Sequence, residues 1–121
     1  MKIVPKAWGR EEIIFDEKEY CLKRLVFTGL YNDFSMHYHV NKRESWLVEE
    51  GSFQLEYLQD MFRVKKTLNV GDSWTNERGV PHKLTSLAPR SVILEVSTQD
   101  ASHDNYRIEP GMSQRGGKQK L

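Results

Sequence analysis

Phe34-Ser35-Met36-His37-Tyr38-His39-Val40-Asn41-Lys42-Arg43-Glu44, continuing through Ser45-Trp46-Leu47-Val48-Glu49-Glu50 to Gly51, is the stretch whose reading decides the fold. Its composition is that of paired β-strands, rich in aromatic and β-branched residues with polar residues between them. On a strand, alternate side chains share a face, so His37 and His39 point the same way. If Val40 to Arg43 make a hairpin turn, Glu44 returns beside them on the neighbouring strand. Two imidazole nitrogens and a carboxylate oxygen then converge, a donor set suited to a divalent transition metal. Farther along, Gly79-Val80-Pro81-His82 offers a fourth ligand at the start of another strand.

Outward from that stretch, apolar residues alternate or cluster in short runs bounded by Gly, Asn, Asp and Pro, and nowhere sustain a helical period. Tyr20 to Thr28 reads as a strand. Phe34 to His39 and Glu44 to Glu50 read as the hairpin. Gly51-Ser52 turns the chain into Phe53 to Leu58, whose Phe53, Leu55 and Tyr57 share a face. Further strands are expected at Met61 to Leu68, Gly71 to Thr75, His82 to Leu87 and Ser91 to Val96. Ser102 to Arg107 is open between a helical turn and a loop. About eight short strands with turn chemistry between them indicate an all-β sandwich or barrel.

At 121 residues the chain suffices for one domain with a substantial core. Its 18 basic and 17 acidic residues leave a net charge of +1, so no strong field directs it to nucleic acid or a membrane. No apolar run approaches the roughly 18 residues of a membrane span. With Cys21 the single cysteine, no intrachain disulfide can form, and a reducing cytoplasm is the expected setting. The domain is placed at residues 1–110. Residues 111–121, with Gly116-Gly117 and the basic stretch Arg115 to Lys120, read as a flexible basic tail.

These residues resemble a known pattern. Gly29, His37-Tyr38-His39, Glu44 and Gly51 resemble the first cupin motif, G(X)5HXH(X)3–4E(X)6G, with a two-residue insertion before the first histidine. Gly71 and Gly79-Val80-Pro81-His82 resemble the second, G(X)5PXG(X)2H(X)3N, with Glu77 in place of the proline and Ser86 in place of the asparagine. A narrower likeness rests on Lys6-Ala7-Trp8-Gly9, Leu22-Lys23-Arg24-Leu25, Arg43-Glu44-Ser45-Trp46-Leu47-Val48, Leu94-Glu95-Val96 and Asp104-Asn105-Tyr106-Arg107. In that order they are similar to small single-domain cupins related to the C-terminal isomerase domain of type II phosphomannose isomerases. The resemblance implies a double-stranded β-helix, the cupin jelly-roll barrel, with His37, His39, Glu44 and His82 as metal ligands. It also implies a role for Arg107 in handling substrate, and a homodimer, for which Trp8 to Phe15 is the expected exchanged edge.

Three imidazoles and a carboxylate brought into an apolar barrel without an ion would strand polar groups, at about 1–3 kcal/mol each. One divalent ion removes that penalty, and three nitrogens with one oxygen leave Mn, Zn, Fe, Co and Ni all open. A sugar-like small molecule chelating the ion would meet a Lewis acid, and a nearby base would complete an aldose–ketose isomerase. Glu95 and Lys23 are the candidates for that base. Glu95 lies between Leu94 and Val96 and cannot share their face, so it is either a solvated strand residue or an interior one; Lys23 alternates with Leu22 in the same way. Arg107 is either a bidentate clamp on phosphate or carboxylate or a plain surface arginine. The leading expectation is a metal-dependent sugar or sugar-phosphate isomerase. The alternatives are an Fe(II)-dependent dioxygenase and a non-catalytic sugar-binding or regulatory cupin. A metal-free sugar-nucleotide epimerase leaves four convergent ligands unexplained.

Overall fold

The computed structural model describes residues 1–119. Eleven strands run in chain order: β1 (Lys2–Lys6), β2 (Gly9–Asp16), β3 (Cys21–Phe27), β4 (Met36–Tyr38), β5 (Glu44–Glu50), β6 (Ser52–Gln59), β7 (Phe62–Asn69), β8 (Ser73–Asn76), β9 (His82–Ser86), β10 (Ser91–Ser97) and β11 (Tyr106–Glu109). Among the described residues none is helical, and no helix is long and apolar enough to cross a membrane. The strands form two antiparallel sheets, ordered β1-β2-β3-β10-β5-β8 and β11-β4-β9-β6-β7. The jelly-roll expectation holds.

Inward-facing apolar residues of both sheets close on each other, with Leu25, Phe27, Trp46, Val48 and Ile93 from the first meeting Phe53, Leu55, Leu68 and Leu84 from the second. That face-to-face burial of alternate residues is what holds a sandwich together. Trp8 caps one end, stacked on Phe27 at 4.4 Å between ring centroids. It anchors the N-terminal arm as a buried plug between β1 and β2. Trp74 is half-buried and packs on Tyr57 at the core's margin. Between β6 and β7 the chain reverses through Asp60-Met61, both at positive φ (50° and 68°), the geometry whose twist matches a two-residue hairpin. Between β5 and β6 only glycine fits. Gly51 has φ 69°, and a Cβ there would stand 2.3 Å from Ser91 Oγ and 2.5 Å from the Arg90 carbonyl oxygen.

Three expectations are corrected. Phe34–His39 and Glu44–Glu50 are not a hairpin. β4 pairs with β9 and β11 in one sheet, whereas β5 pairs with β10 and β8 in the other. Residues 40–43 therefore cross between sheets, held by the Asp104 carboxylate, which accepts hydrogen bonds from the backbone N–H groups of Val40, Asn41 and Lys42 at 2.8–3.0 Å.

The chain beyond residue 110 is docked as far as Gln119. Met112 joins the core, its N–H donates to Asp33 Oδ1 at 2.9 Å, and Arg115 Nη2 pairs with the same oxygen at 2.7 Å. Gly111 lets the strap lie flat, since a Cβ would fall 2.2 Å from the Ser35 nitrogen. Lys120 and Leu121, the last part of the expected tail, lie outside the described residues. Finally, Trp8 to Phe15 is no edge: β2 is enclosed between β1 and β3, and β1 carries the free edge.

Candidate metal centre

The three histidines meet because of register. His37 and His82 are directly paired across β4 and β9, so their rings stand side by side on the inner face. His39, two residues after His37, falls on the same side just past the strand end. One ligand nitrogen from each lies within 4.8 Å of the other two. In every case Nδ1 is engaged by a backbone carbonyl: His37 by Ser35 O at 2.7 Å, His39 by Asp104 O at 2.6 Å, His82 by Val80 O at 3.0 Å. A carbonyl oxygen can only accept, so Nδ1 carries a proton in each and Nε2 is the nitrogen left to meet an ion. This is the outer-shell arrangement that orients metal-binding imidazoles.

Burial, and then the neighbouring imidazoles, hold His37 well below its ordinary pKa; burial also lowers His39, against the opposing pull of Glu44. Both are neutral donors near neutrality. His82 Nε2 is fully buried, stands 2.8 Å from Glu44 Oε1, and has no hydrogen bond to it. A buried nitrogen left without a hydrogen bond beside a carboxylate is an uncompensated arrangement, which a cation held by both would satisfy.

Glu44 arrives from the opposing sheet. Its carboxylate is also 3.7 Å from His39 Nε2 and 3.3 Å from Lys42 Nζ, and it accepts from Asn76 Nδ2 at 3.3 Å. Burial alone would raise its pKa; the Lys42 ammonium and His82 outweigh that, and Glu44 is ionised well below the usual carboxylate range. Three imidazole nitrogens in one cluster, with an ionised carboxylate beside them, fit one divalent transition ion of intermediate hardness.

Beside the cluster lies a cavity of about 310 Å3, onto which His37, His39 and Glu44 open. Glu95 and Lys23 both face it, each 3% exposed. Leu94 and Val96 turn to the outer face of the sheet instead, inverting the ordinary rule for apolar residues. Trp46 Nε1 donates to Glu95 Oε1 at 2.9 Å. Burial and then the Glu44 charge push Glu95 up to about 8, so of the two carboxyls Glu95 is the one that keeps a proton. Burial opposes the charge on Lys23, but Glu95, Glu11 and Asp100 more than offset it and raise its pKa. Arg107, exposed on β11 opposite His37, lies at the rim.

Two cavity residues escaped the sequence reading. Lys42, 6% exposed, shares the parity of Glu44, a signal obscured by assigning residues 40–43 to a turn. Asp100 has no local signal, because it follows the last expected strand.

Fold and site together define a jelly-roll barrel of the cupin type with a three-histidine centre able to hold one metal ion. Solved structures of the same fold include KdgF from Halomonas sp., with a TM-score of 0.73 at 15% identity over 85% of this chain and 90% of that one. Oxalate decarboxylase from Bacillus subtilis superposes with a TM-score of 0.79 at 13% identity, over 88% of this chain and 30% of that one. For CapF of Staphylococcus aureus, a capsular polysaccharide assembling protein, the values are 0.78, 13%, 89% and 31%. This chain thus spans nearly all of KdgF but about a third of the other two. The B. subtilis oxalate decarboxylase has Mn(II) centres. No family model matches the chain, and no curated protein does. These comparisons carry the fold; they do not show the likeness to phosphomannose isomerases.

Proposed function

We propose that the protein is a metal-dependent aldose–ketose isomerase acting on a sugar or sugar phosphate, with His37, His39, His82 and Glu44 holding the ion. The observation that carries this reading is Glu95: a carboxyl buried on the inner face of β10, opening onto the same cavity as the imidazole cluster. A divalent ion bound there would polarise a substrate carbonyl and its neighbouring hydroxyl. The chain supplies the rest. Trp46 fixes Glu95 Oε1, leaving Oε2 without a hydrogen-bond partner and directed at the lysines. A carboxyl whose pKa lies near the working pH can take a proton from one carbon and return it to the adjacent one. Lys23, 3.9 Å from that oxygen, steadies the ionised form, and Arg107 at the rim meets the distal end of the substrate. The fold shared with CapF, described as a polysaccharide assembling protein, supports a carbohydrate ligand.

The test is metal-loaded protein incubated with aldose 6-phosphates in deuterated water and followed by proton NMR. Ketose formation with deuterium incorporated at the exchanging carbon, absent in Glu95→Gln and His82→Ala, is expected. No exchange across the panel by protein carrying stoichiometric metal would refute the activity. A homodimer is part of the proposal, through the outer face of β3, β5 and β10, where Leu47 and Val96 are 41% and 50% exposed; a monomer mass by light scattering at micromolar concentration would overturn it.

A further inference from the structure

Two buried ammonium groups face the cavity and share the Asp100 carboxylate, while Lys42 Nζ also stands 3.3 Å from Glu44 Oε2 and Lys23 Nζ 3.9 Å from Glu11 Oε2. Lys23 Nζ donates to Asp100 Oδ2 at 2.9 Å and Lys42 Nζ to Asp100 Oδ1 at 3.1 Å. The lysine side chains are 4% and 7% exposed, that of Asp100 31%. The cations belong to the barrel wall, while the anion hangs from the loop after β10.

Asp104, four residues on, shows what a structural aspartate looks like here. Its carboxylate accepts three backbone N–H groups. Among the described residues the Asp100 carboxylate receives the two ammoniums and no backbone donor. Its loop is pinned on either side, by the Thr98 N–H to the Arg43 carbonyl and the Asp104 N–H to the Ala101 carbonyl, so the side chain between them can leave without unravelling a strand. Beneath lies Glu95 Oε2, buried, without a hydrogen bond, and 3.9 and 3.8 Å from the same two nitrogens. That spacing is too long for a direct bond and leaves a polar atom waiting on the cavity side.

We infer that Asp100 stands in for an acidic group of the ligand: Lys23 and Lys42 form the seat of a carboxylate or phosphate oxyanion on a small polyhydroxylated molecule, which enters by displacing the Asp100 carboxylate. Two ammoniums in a low-dielectric wall must keep an anion near them. Exchanging one oxyanion for another keeps a direct acceptor on both ammoniums, whereas a neutral sugar brings no anion to them and leaves Asp100 seated. The partnerless Glu95 oxygen then meets a ligand hydroxyl. Asp100 thereby competes with the ligand's acidic group for the seat. The inference rests on the cavity being the ligand site of the proposed isomerase, and it does not require turnover.

The experiment is calorimetric titration of the metal-loaded protein with glucose, glucuronate and glucose 6-phosphate, three ligands sharing one skeleton. Asp100→Ala should bind at least one of the two anions fivefold or more tighter than wild type, with glucose unchanged, and adding Lys42→Met should abolish the gain. A gain for glucuronate alone assigns a carboxylate, and a gain for glucose 6-phosphate alone a phosphate. Asp100→Asn, which preserves shape, is measured in parallel in case the alanine variant does not fold. No gain for either anion in the folded variants, or an equal gain for glucose, overturns the inference. Tighter anion binding with no deuterium exchange on any substrate would remove the isomerase reading and leave the seat standing.

Discussion

Glu95→Gln in protein stripped of metal by a chelator isolates the group on which the proposed chemistry depends. Glutamine keeps an oxygen to accept the Trp46 Nε1 bond and has nearly the same volume, so packing is conserved. What disappears is a proton. Glu95 titrates near 4.5 in the unfolded chain and at about 8 in the fold, where burial and then the Glu44 charge oppose its ionisation. Between those values the folded protein binds a proton that the unfolded chain has released. Stability from this group is therefore greatest at or below the unfolded pKa and is lost as pH rises towards the folded one. The slope is about 1.4 kcal/mol per pH unit for a single group held fully protonated. Relative to Glu95→Gln, wild type should thus lose about 3 kcal/mol between roughly pH 5.5 and roughly pH 7.5, read as the difference between paired urea unfolding curves. Groups remote from Glu95 behave alike in both proteins and drop out of the difference. Parallel profiles, with a change below about 0.5 kcal/mol, would mean that Glu95 ionises like a surface carboxylate and that the acid–base assignment is wrong.

Plasma mass spectrometry on tag-free protein should find near-stoichiometric Mn, Fe, Co, Ni or Zn, lost in His82→Ala; retention of metal by that variant would displace His82 from the ligand set. Asp104→Ala removes the acceptor of three N–H groups in the crossing segment and loosens the residue whose carbonyl orients His39, so metal affinity should fall by about 10–100-fold in a competition assay with a chromophoric chelator. Unchanged affinity would show that the crossing segment keeps its shape without the carboxylate. Met112→Ala should cost about 2–5 kcal/mol in urea unfolding, because Met112 fills the core from the C-terminal strap; a cost within surface-substitution range would mean the strap is not docked in solution.

Where side chains alternate cleanly, the fold was legible. β5, β6, β9 and β10 each put their large apolar residues on one face or end in turn residues, and their places were read to within a residue or two. β1 and β2 lack that signal, their exposure being nearly uniform along each strand, so periodicity places no strand in the arm, and Trp8 to Phe15 enters only through the resemblance, as an exchanged edge. β4 is three residues long, and its partners lie far along the chain, in β9 and β11. Adjacency in sequence suggested a hairpin with β5, when a chain crossing between sheets needs the same four residues. The Asp104 side chain that stabilises the crossing lies more than sixty residues away in sequence. The histidines were legible despite the wrong pairing, because parity puts His37 and His39 on one face whichever strand lies beside them. For Glu95, parity excluded the face of Leu94 and Val96 but could not say that theirs was the outer one. The outer face of this sheet keeps substantial apolar surface, and that breaks the usual inference from hydrophobicity to burial.

The crossing of residues 40–43 places Glu44 on one sheet and the three imidazoles on or beside the other. An ion held by all four side chains would be a cross-link between the two halves of the sandwich, not an ornament on one of them. Such a clasp can form only once the halves have met, so the metal would enter late in folding and then resist their separation. Amides of β4 and β5, which share no hydrogen bonds with each other, should slow their hydrogen exchange together when metal is added, in proportion to how tightly it binds. The ion would act as a latch on the breathing of the barrel, and the cavity's access to solvent would be coupled to its occupancy.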